Sequence, residues 1–319
     1  MSSRFEPGDH FAGINLSGPV ARALILAANG QVVERREASL ESEKVLQGVA
    51  DLVTQLRDLR PIKVVGVAIP GLVKRESGRI LISPGFPSIV GEDFKSELTK
   101  ATSVRFELEN DADAAAYGEY KAGAGRGCRN MFYVGIGDAI GGAIILDGRR
   151  WVGASGCAGE VGHITIDSEG VQCVCGNRGC LETLASSMNI VRRAKERLDR
   201  DSTSSLSRLA MNQDFTAQDM VHEARNGDDF SMMMIERTGK FIGTAIASVI
   251  NLLGVERIVV GGGVMEAGEL ILEPIIAQAR SRSFQPCFEA TKIVAGELGA
   301  DAVAIGAALL ARDAGLAAP

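Results

Sequence analysis

Residues Gly162–Glu182 read GHITIDSEGVQCVCGNRGCLE. This stretch contains one imidazole and three thiols, the side-chain types that Zn²⁺ prefers, at His163, Cys173, Cys175 and Cys180. One histidine with three cysteines fills a tetrahedral shell and leaves no position for water, which indicates a structural ion. Glycines between the cysteines allow the backbone to wrap around an ion. The sequence therefore predicts a zinc-bound loop, with buried or disulfide-bonded cysteines as the alternative.

The composition of the whole chain is that of a globular protein. Its 319 residues suggest about two domains, and a hydrophobic content of 46% is ample for sizeable cores. The net charge of -6 argues against a surface that tracks nucleic acid. The sequence has no apolar run of about 18 to 20 residues and no signal peptide, so we expect a cytoplasmic protein that binds no membrane. In that compartment the cysteine spacing favours metal over disulfides.

The spacing H-x9-C-x-C-G-x-x-G-C-x-E, which begins at His163, resembles the signature of the ROK family of bacterial sugar kinases and sugar-responsive repressors. Every fixed position of that signature is present, and the resemblance extends from Gly13 to about Ala311. It implies an α/β protein with the actin-like ATPase (ribonuclease H-like) fold, in which two domains flank an interdomain cleft. It also implies a homodimer.

The resemblance also implies where the two domains lie along the chain. We expect a smaller N-terminal α/β domain from residues 1–118, completed by the C-terminal helix at residues 301–319. A larger α/β domain at residues 119–300 would carry the zinc loop. The repressor branch of the family has an additional N-terminal helix-turn-helix segment, and this chain begins almost directly at its first strand. We therefore expect the glucokinase-like branch, without a DNA-binding domain and without a nucleic-acid partner.

The predicted chemistry centres on Asn110 and Asp111, which follow a predicted strand at residues 104–108 and precede a predicted helix. From the residues alone, an aspartate at this position is explained as the N-cap of the helix. The resemblance implies instead that Asp111 is the general base that accepts the proton of a sugar hydroxyl during phosphoryl transfer. Asn110, which has both donors and acceptors, would bind a sugar hydroxyl.

Further sugar contacts are implied at Gly71, Glu160, His163 and Glu182. Gly71 would let the backbone approach the sugar, and the two glutamates would bind hydroxyls on one side of the ring. His163 would bind zinc through one ring nitrogen and the sugar through the other. From the residues alone, Gly71 is equally a plain strand-ending turn, and the glutamates are equally solvated loop residues. Gly85 stands where the family has an asparagine that reaches the sugar.

The first predicted phosphate-binding turn departs from the family pattern D-x-G-G-T. This chain has Asn15, Ser17, Gly18 and Pro19 at the corresponding positions. Asn15 offers no charge to Mg²⁺, and Pro19 has neither a backbone N–H nor a hydroxyl. Both differences weaken a phosphate site.

The second predicted phosphate-binding turn also departs from the family pattern, which resembles G-T-G-x-G-G-G. In this chain the corresponding run begins with Gly137, Asp138 and Ala139. Asp138 places a negative charge where the phosphates of ATP are expected, at a cost of about 1 kcal/mol in water-like surroundings. Ala139 would resist any positive φ that the turn required. On the adenosine side the family's glycine turn is retained, as Gly261, Gly262 and Gly263.

Two functions from different classes follow from these observations. The first is ATP- and Mg²⁺-dependent phosphorylation of a hexose, either glucose or a related aldohexose or N-acetylhexosamine, at the 6-hydroxyl. The second is a sugar-binding protein that has lost kinase activity and acts as a sensor or scaffold, which the altered phosphate turns favour. A kinase that uses polyphosphate is a third interpretation, but that donor calls for a basic groove.

Overall fold

The computed structural model describes residues 6, 8–18, 20–74, 77–198, 203–212 and 214–317. The chain forms two compact units. The first comprises the described residues within Met1–Gly127, Arg150–Ala158 and Ala300–Pro319, and the second comprises those within Cys128–Arg149 and Gly159–Gly299.

The first unit is built on a five-stranded sheet with the order β3-β2-β1-β4-β7. Strand β1 pairs with β2 antiparallel and with β4 parallel, and β4 pairs with β7 parallel. Strands β5 and β6 form a separate two-stranded sheet. The strands are β1 (His10–Asn15), β2 (Val20–Ala27), β3 (Val32–Ser39), β4 (Ile62–Ile69), β5 (Leu72–Lys74), β6 (Arg79–Ile82) and β7 (Arg105–Asn110). The helices are α1 (Val45–Leu59), α2 (Phe94–Thr102) and α3 (Asp111–Ala122), with a 3₁₀ helix at Pro87–Ile89.

The core of the first unit follows the hydrophobic pattern of the sequence. Strand β4 is buried without interruption over its last six residues, as the near-continuous apolar run predicts for a strand covered on both faces. Helix α1 packs on the sheet through one apolar stripe, a spacing that the helical period predicts. The buried residues of this stripe are Val45, Val49, Ala50, Leu52, Val53 and Leu56.

A second five-stranded sheet has the order β10-β9-β8-β11-β12, and its strands β8, β9, β11 and β12 belong to the second unit. Counted within each sheet, both orders are 3-2-1-4-5. The strands are β8 (Met131–Ile136), β9 (Ile140–Leu146), β10 (Arg149–Trp151), β11 (Arg257–Gly261) and β12 (Lys292–Ala295). The helices are α4 (Glu182–Ala185), α5 (Ser187–Leu198), α6 (Ser205–Asn212), α7 (Ala217–Arg225), α8 (Asp229–Leu253), α9 (Glu269–Arg282) and α10 (Gln285–Glu289). Further 3₁₀ helices lie at Val161–His163, Gly263–Ala267 and Gly299–Asp301. Within the described ranges, no helix combines the length and apolar character needed to cross a bilayer.

The last helix, α11 (Ala302–Ala317), packs against β1, β4 and α3 of the first unit. Small residues make this approach unusually close. A Cβ atom at Gly66 of β4 would overlap the carbonyl oxygen of Ala307, and one at Gly306 of α11 would overlap the carbonyl oxygen of Ala114. The backbone of α11 therefore lies almost in contact with the backbones of the sheet and of α3. Only glycine at Gly66 and Gly306 permits so close an approach.

Gly306→Ala tests this packing, because helix propensity and steric overlap change the free energy of unfolding in opposite directions. Helix propensity alone favours alanine by about 0.5–1 kcal/mol, whereas overlap with the Ala114 carbonyl should cost about 1–3 kcal/mol. We expect the midpoint of thermal unfolding to fall. Gly85→Ala is the control, because no atom lies within 4 Å of a Cβ at that position. A Gly306→Ala variant as stable as wild type would contradict the close packing of α11.

Candidate functional site

The four predicted metal ligands converge in the second unit. One ligand atom from each of His163, Cys173, Cys175 and Cys180 lies within 4.8 Å of all the others. The Nδ1 atom of His163 is 3.6 Å from the Sγ atom of Cys173, and the Sγ atoms of Cys175 and Cys180 are 3.7 Å apart. A tetrahedral zinc ion with ordinary bond lengths has ligand–ligand separations of about 3.6 Å (N–S) and about 3.8 Å (S–S). These residues therefore fit a zinc ion, and the cysteines are free thiols rather than disulfides.

Short turns and glycines give the loop its shape. Its two arms meet through isolated bridges between Thr165 and Cys180 and between Gln172 and Arg178. Gly176 has a φ of 93° and Gly179 a φ of 62°. A Cβ atom at Gly179 would also overlap the carbonyl oxygen of Asp167. The C-G-x-x-G-C spacing thus supplies glycine where the backbone has a left-handed conformation.

The protonation of the thiols depends on their surroundings. Burial raises the pKa of Cys173, and burial together with the neighbouring thiols raises the pKa of Cys180 to about 12. The backbone N–H of Asn177 lowers the pKa of Cys175. Without a cation, the two buried thiols stay protonated at neutral pH, so binding of a metal ion would release protons.

In the first unit, Asn110 rather than Asp111 is the N-cap of α3, so the capping interpretation of Asp111 is wrong by one position. The Oδ1 atom of Asn110 accepts the N–H of Asp113 at 3.0 Å. Its Nδ2 atom donates to the carbonyl oxygen of Gly71 at 2.8 Å. Gly71 has a φ of 117°, and a Cβ atom there would overlap the carbonyl of Ile82 in β6. The turn at Gly71 thus requires glycine for structural reasons, as the plain turn interpretation expects.

Asp111 is the first residue of α3, and both of its carboxylate oxygens accept hydrogen bonds. Its Oδ1 atom accepts the N–H of Ala112 at 2.9 Å, and its Oδ2 atom accepts the hydroxyl of Ser17 at 2.9 Å. Burial raises the pKa of Asp111, whereas these two hydrogen bonds lower it, and burial prevails. A carboxylate with a raised pKa is a stronger base, which suits proton abstraction.

The first predicted phosphate turn contacts Asp111 through Ser17. The Oδ1 atom of Asn15 accepts the N–H of Ser17 at 2.8 Å, so the asparagine stabilises the turn itself. Space around Gly18 is open. Pro19 lies outside the described residues. The sequence predicted Ser17 as a nucleotide residue only, and its contact with Asp111 was not predicted.

The second predicted phosphate turn joins β8 to β9 at Gly137, Asp138 and Ala139. The N–H of Gly137 donates to the carbonyl of Ala139 at 3.0 Å, and Asp138 is exposed. Ala139 would resist a positive φ, but the turn requires none at this position. In the described part of the chain, the non-glycine residues with positive φ are Ser103 and Asp147, so this turn closes without one at Ala139.

The glycine turn after β11 packs beside this hairpin. Gly262 has a φ of 88°, and a Cβ atom there would overlap the backbone of Ile136 at the end of β8. A Cβ atom at Gly261 would overlap the hydroxyl of Tyr133, while Gly263 is open. The two predicted nucleotide elements of the second unit therefore lie side by side.

Glu160 and Glu182 lie at opposite ends of the segment that contains the four clustered residues His163, Cys173, Cys175 and Cys180, which we call the metal loop. Glu160 is exposed, and its carbonyl oxygen accepts the N–H of His163 at 3.0 Å in the 3₁₀ helix Val161–His163. Glu182 begins α4, and its Oε2 atom accepts the N–H of Ile140 at 2.9 Å. The bond from Glu182 to the β8–β9 hairpin was not predicted.

Two residues beside the predicted base were missed by the sequence analysis. Glu109 is buried, its Oε1 atom accepts the N–H of Asn110 at 3.0 Å, and its other oxygen forms an ion pair with Arg150. The guanidinium of Arg150 also lies 5.8 Å from the ring centroid of Tyr117 on α3. Glu109 immediately precedes Asn110 in the sequence, but nothing in the spacing indicates Arg150 as its partner.

Known proteins resemble this chain over nearly its full length. The model of the ROK family matches residues 11–314. The chain is 31% identical over 307 residues to a glucokinase of Thermotoga maritima, and the match covers 94% of this chain and 96% of the relative. A ROK family glucokinase from Streptomyces griseus, solved with glucose and AMPPNP, superposes with a TM-score of 0.87 at 27% identity. That match covers 95% of this chain and 99% of the other.

A ROK family transcriptional regulator, a homolog of the E. coli MLC protein, is as similar in structure to this chain as that glucokinase is. It superposes with a TM-score of 0.86 at 28% identity, and the match covers 96% of this chain but 78% of the regulator. A kinase and a regulator thus share this fold, which is the actin-like ATPase fold that the family resemblance implied. The family model spans nearly all of the chain, and the chain belongs to the ROK family.

Proposed function

We propose that this chain is a hexose kinase that transfers the γ-phosphate of ATP, in the presence of Mg²⁺, to the 6-hydroxyl of glucose or a related aldohexose or N-acetylhexosamine. The observation that carries the proposal is the Asp111 carboxylate, held at the N-terminus of α3 with a raised pKa. Similarity to glucokinases over nearly the full length of both chains supports a phosphotransferase.

In this mechanism Asp111 accepts the proton of the sugar hydroxyl as the oxygen attacks the γ-phosphorus atom, whose bond to the β,γ-bridging oxygen breaks and releases ADP. The hydroxyl of Ser17 and the N–H of Ala112 fix the carboxylate. Asn110 uses one amide hydrogen on Gly71 and keeps its second for a sugar hydroxyl. Because the Nδ1 atom of His163 faces the sulfur atoms, its Nε2 atom would bind the sugar.

The proposed sugar ligands come from both predicted domains, residues 1–118 with 301–319 and residues 119–300. We propose that these domains flank the cleft that binds the hexose. Asn110 and Asp111 of the first domain would contact the hexose from one side of the cleft. The second domain would contribute Glu160, His163 and Glu182. Closure of such a cleft would exclude water and limit wasteful hydrolysis of ATP.

The nucleotide would bind along Gly137 and Asp138 and along Gly261, Gly262 and Gly263, with Asn15, Ser17 and Gly18 on the opposite side. Mg²⁺ retains several waters and takes further ligands from phosphates, so a turn with Asn15 is still compatible with Mg-ATP. We expect weaker nucleotide binding than in relatives that have the full family pattern.

A sugar-binding protein without kinase activity is the second candidate, and one observation favours it. The polar groups of the first phosphate turn are already paired within the chain, since Asn15 binds Ser17 and Ser17 binds Asp111. Phosphate binding at this turn would have to compete with those hydrogen bonds.

We further propose that Zn²⁺ binds to His163, Cys173, Cys175 and Cys180 as a structural ion. When bound, it supplies charge that stabilises the thiolates and fixes the loop between Glu160 and Glu182. The homodimer and the cytoplasmic location remain predictions.

Asp111→Asn separates binding from catalysis. Hexose affinity should stay within about threefold of wild type, because the amide has nearly the same size. Phosphorylation should fall by about 10²- to 10⁴-fold, because the proton acceptor is lost. Calorimetric titration with glucose and a coupled assay of ADP formation measure the two quantities.

Asp58→Asn is the matched control for this variant, because Asp58 is an exposed carboxylate on α1. An equal loss of affinity and turnover in Asp111→Asn would contradict its role as the base. A wild-type protein that binds glucose but neither binds nor turns over millimolar Mg-ATP would support the second candidate.

Asp138→Asn should strengthen binding of Mg-AMPPNP by about fivefold at low salt, because it removes a repulsion of about 1 kcal/mol. The gain should shrink as ionic strength rises. Asp147→Asn, at the exposed turn after β9, is the control. Unchanged affinity in Asp138→Asn would show that Asp138 does not face the phosphates.

Cys175→Ser should lower zinc content and thermal stability together, because it removes one of four ligands. Elemental analysis after gel filtration and a thermal unfolding curve provide the measurements. Cys157→Ser is the control, since Cys157 is exposed and is not one of the four clustered residues. Zinc content that is the same in both variants would remove the assignment of the metal site.

A further inference from the structure

The turn between β8 and β9 is held by the segment that follows the metal loop. The carboxylate of Glu182, two residues after Cys180, accepts the N–H of Ile140 at 2.9 Å. At the start of α5, the N–H of Ser187 donates to the carbonyl oxygen of Gly137 at 2.8 Å. These two bonds fix the residues on either side of Asp138 and Ala139.

The segment that precedes the metal loop contacts the same hairpin. A Cβ atom at Gly162, the neighbour of His163, would overlap the carbonyl oxygen of Ile140. A Cβ atom at Gly142 would likewise overlap the carbonyl oxygen of Gly159. The backbone of Ile140 is therefore held on its N–H side by Glu182 and on its carbonyl side by Gly162.

Both contacts depend on residues that lie next to metal ligands in the sequence. Gly162 precedes His163 directly, and Glu182 follows Cys180 with Leu181 between them. Ile140 is buried, so its N–H would have no access to water if the carboxylate moved away. A shift of either end of the metal loop therefore also disturbs the start of β9.

We propose that Glu182 is a positioning residue for the turn at residues 137–139, and that metal binding at the cysteine loop and nucleotide binding at this turn are thermodynamically coupled. The second part rests on the proposed function, in which this turn receives the phosphates of ATP. Coupling is reciprocal, so nucleotide should tighten metal binding by the same factor by which metal tightens nucleotide binding. The metal loop thus serves the phosphate donor as well as the sugar.

The first test follows the amide hydrogen of Ile140 by hydrogen exchange and needs no ligand. Protection of this amide should fall at least tenfold in Glu182→Ala and in wild-type protein stripped of metal by a chelator. Glu182→Gln should retain protection, because its side-chain carbonyl can still accept the N–H. Glu169→Ala is the control, an exposed glutamate of the same loop. Unchanged exchange at Ile140 in Glu182→Ala, or an equal loss in Glu169→Ala, would overturn the proposal.

The second test measures calorimetric binding of Mg-AMPPNP without sugar. Glu182→Ala should bind about tenfold more weakly than wild type, Glu182→Gln should bind within about twofold, and all variants should have equal metal content. Equal nucleotide affinity in wild type and Glu182→Ala, compared at equal metal content, would overturn this inference and leave the kinase proposal standing. A wild type that binds no nucleotide would contradict the kinase proposal, while exchange at Ile140 would still decide the role of Glu182.

Discussion

The conformation of the loop Gly162–Glu182 brings three thiols and one imidazole within 4.8 Å of one another. Two of its apolar side chains, Val171 and Val174, are exposed, the latter by 95%. Two of the thiols are buried, and burial raises their pKa values, so without a cation they carry no charge at neutral pH. A cation that binds four ligands supplies the interaction that a hydrophobic core supplies elsewhere. In the zinc site that we propose, the order of the loop is tied to one ion.

This constraint extends to the groups that we propose bind the ligands. Glu160 and His163 lie at one end of the loop and Glu182 at the other, so their spacing depends on how the loop closes. A rigid loop presents hydrogen-bond acceptors without a large ordering cost on binding. In the first unit, Asp111 is fixed differently, by a helix N-terminus and by the hydroxyl of Ser17. The two units therefore use a metal loop and a strand–helix junction to fix their polar side chains.

Much of this arrangement could be predicted from local patterns in the sequence. The ligand spacing predicted the cluster, apolar periodicity predicted the buried face of α1, and a near-continuous apolar run predicted the buried strand β4. The N-cap was misassigned because asparagine and aspartate cap helices equally well and β7 extends to Asn110, two residues beyond the predicted strand end. The effect of Ala139 depended on whether this turn requires a positive φ, which the sequence does not indicate, and the turn closes without one there.

Contacts between distant positions could not be predicted. Ser17 and Asp111 are 94 positions apart, Glu109 and Arg150 are 41 apart, and Ile140 and Glu182 are 42 apart. Such pairs have no periodic signal, because each partner is explained locally as a turn, strand or helix residue. They become visible only when the sheets bring strand ends together.

The bond lengths around the metal provide the most direct test of the account. X-ray absorption at the zinc edge of the purified protein should give one nitrogen at about 2.0 Å and three sulfurs at about 2.3 Å in a four-coordinate shell. A shell composed only of oxygen and nitrogen, or protein that contains no zinc after expression in zinc-replete medium, would contradict it.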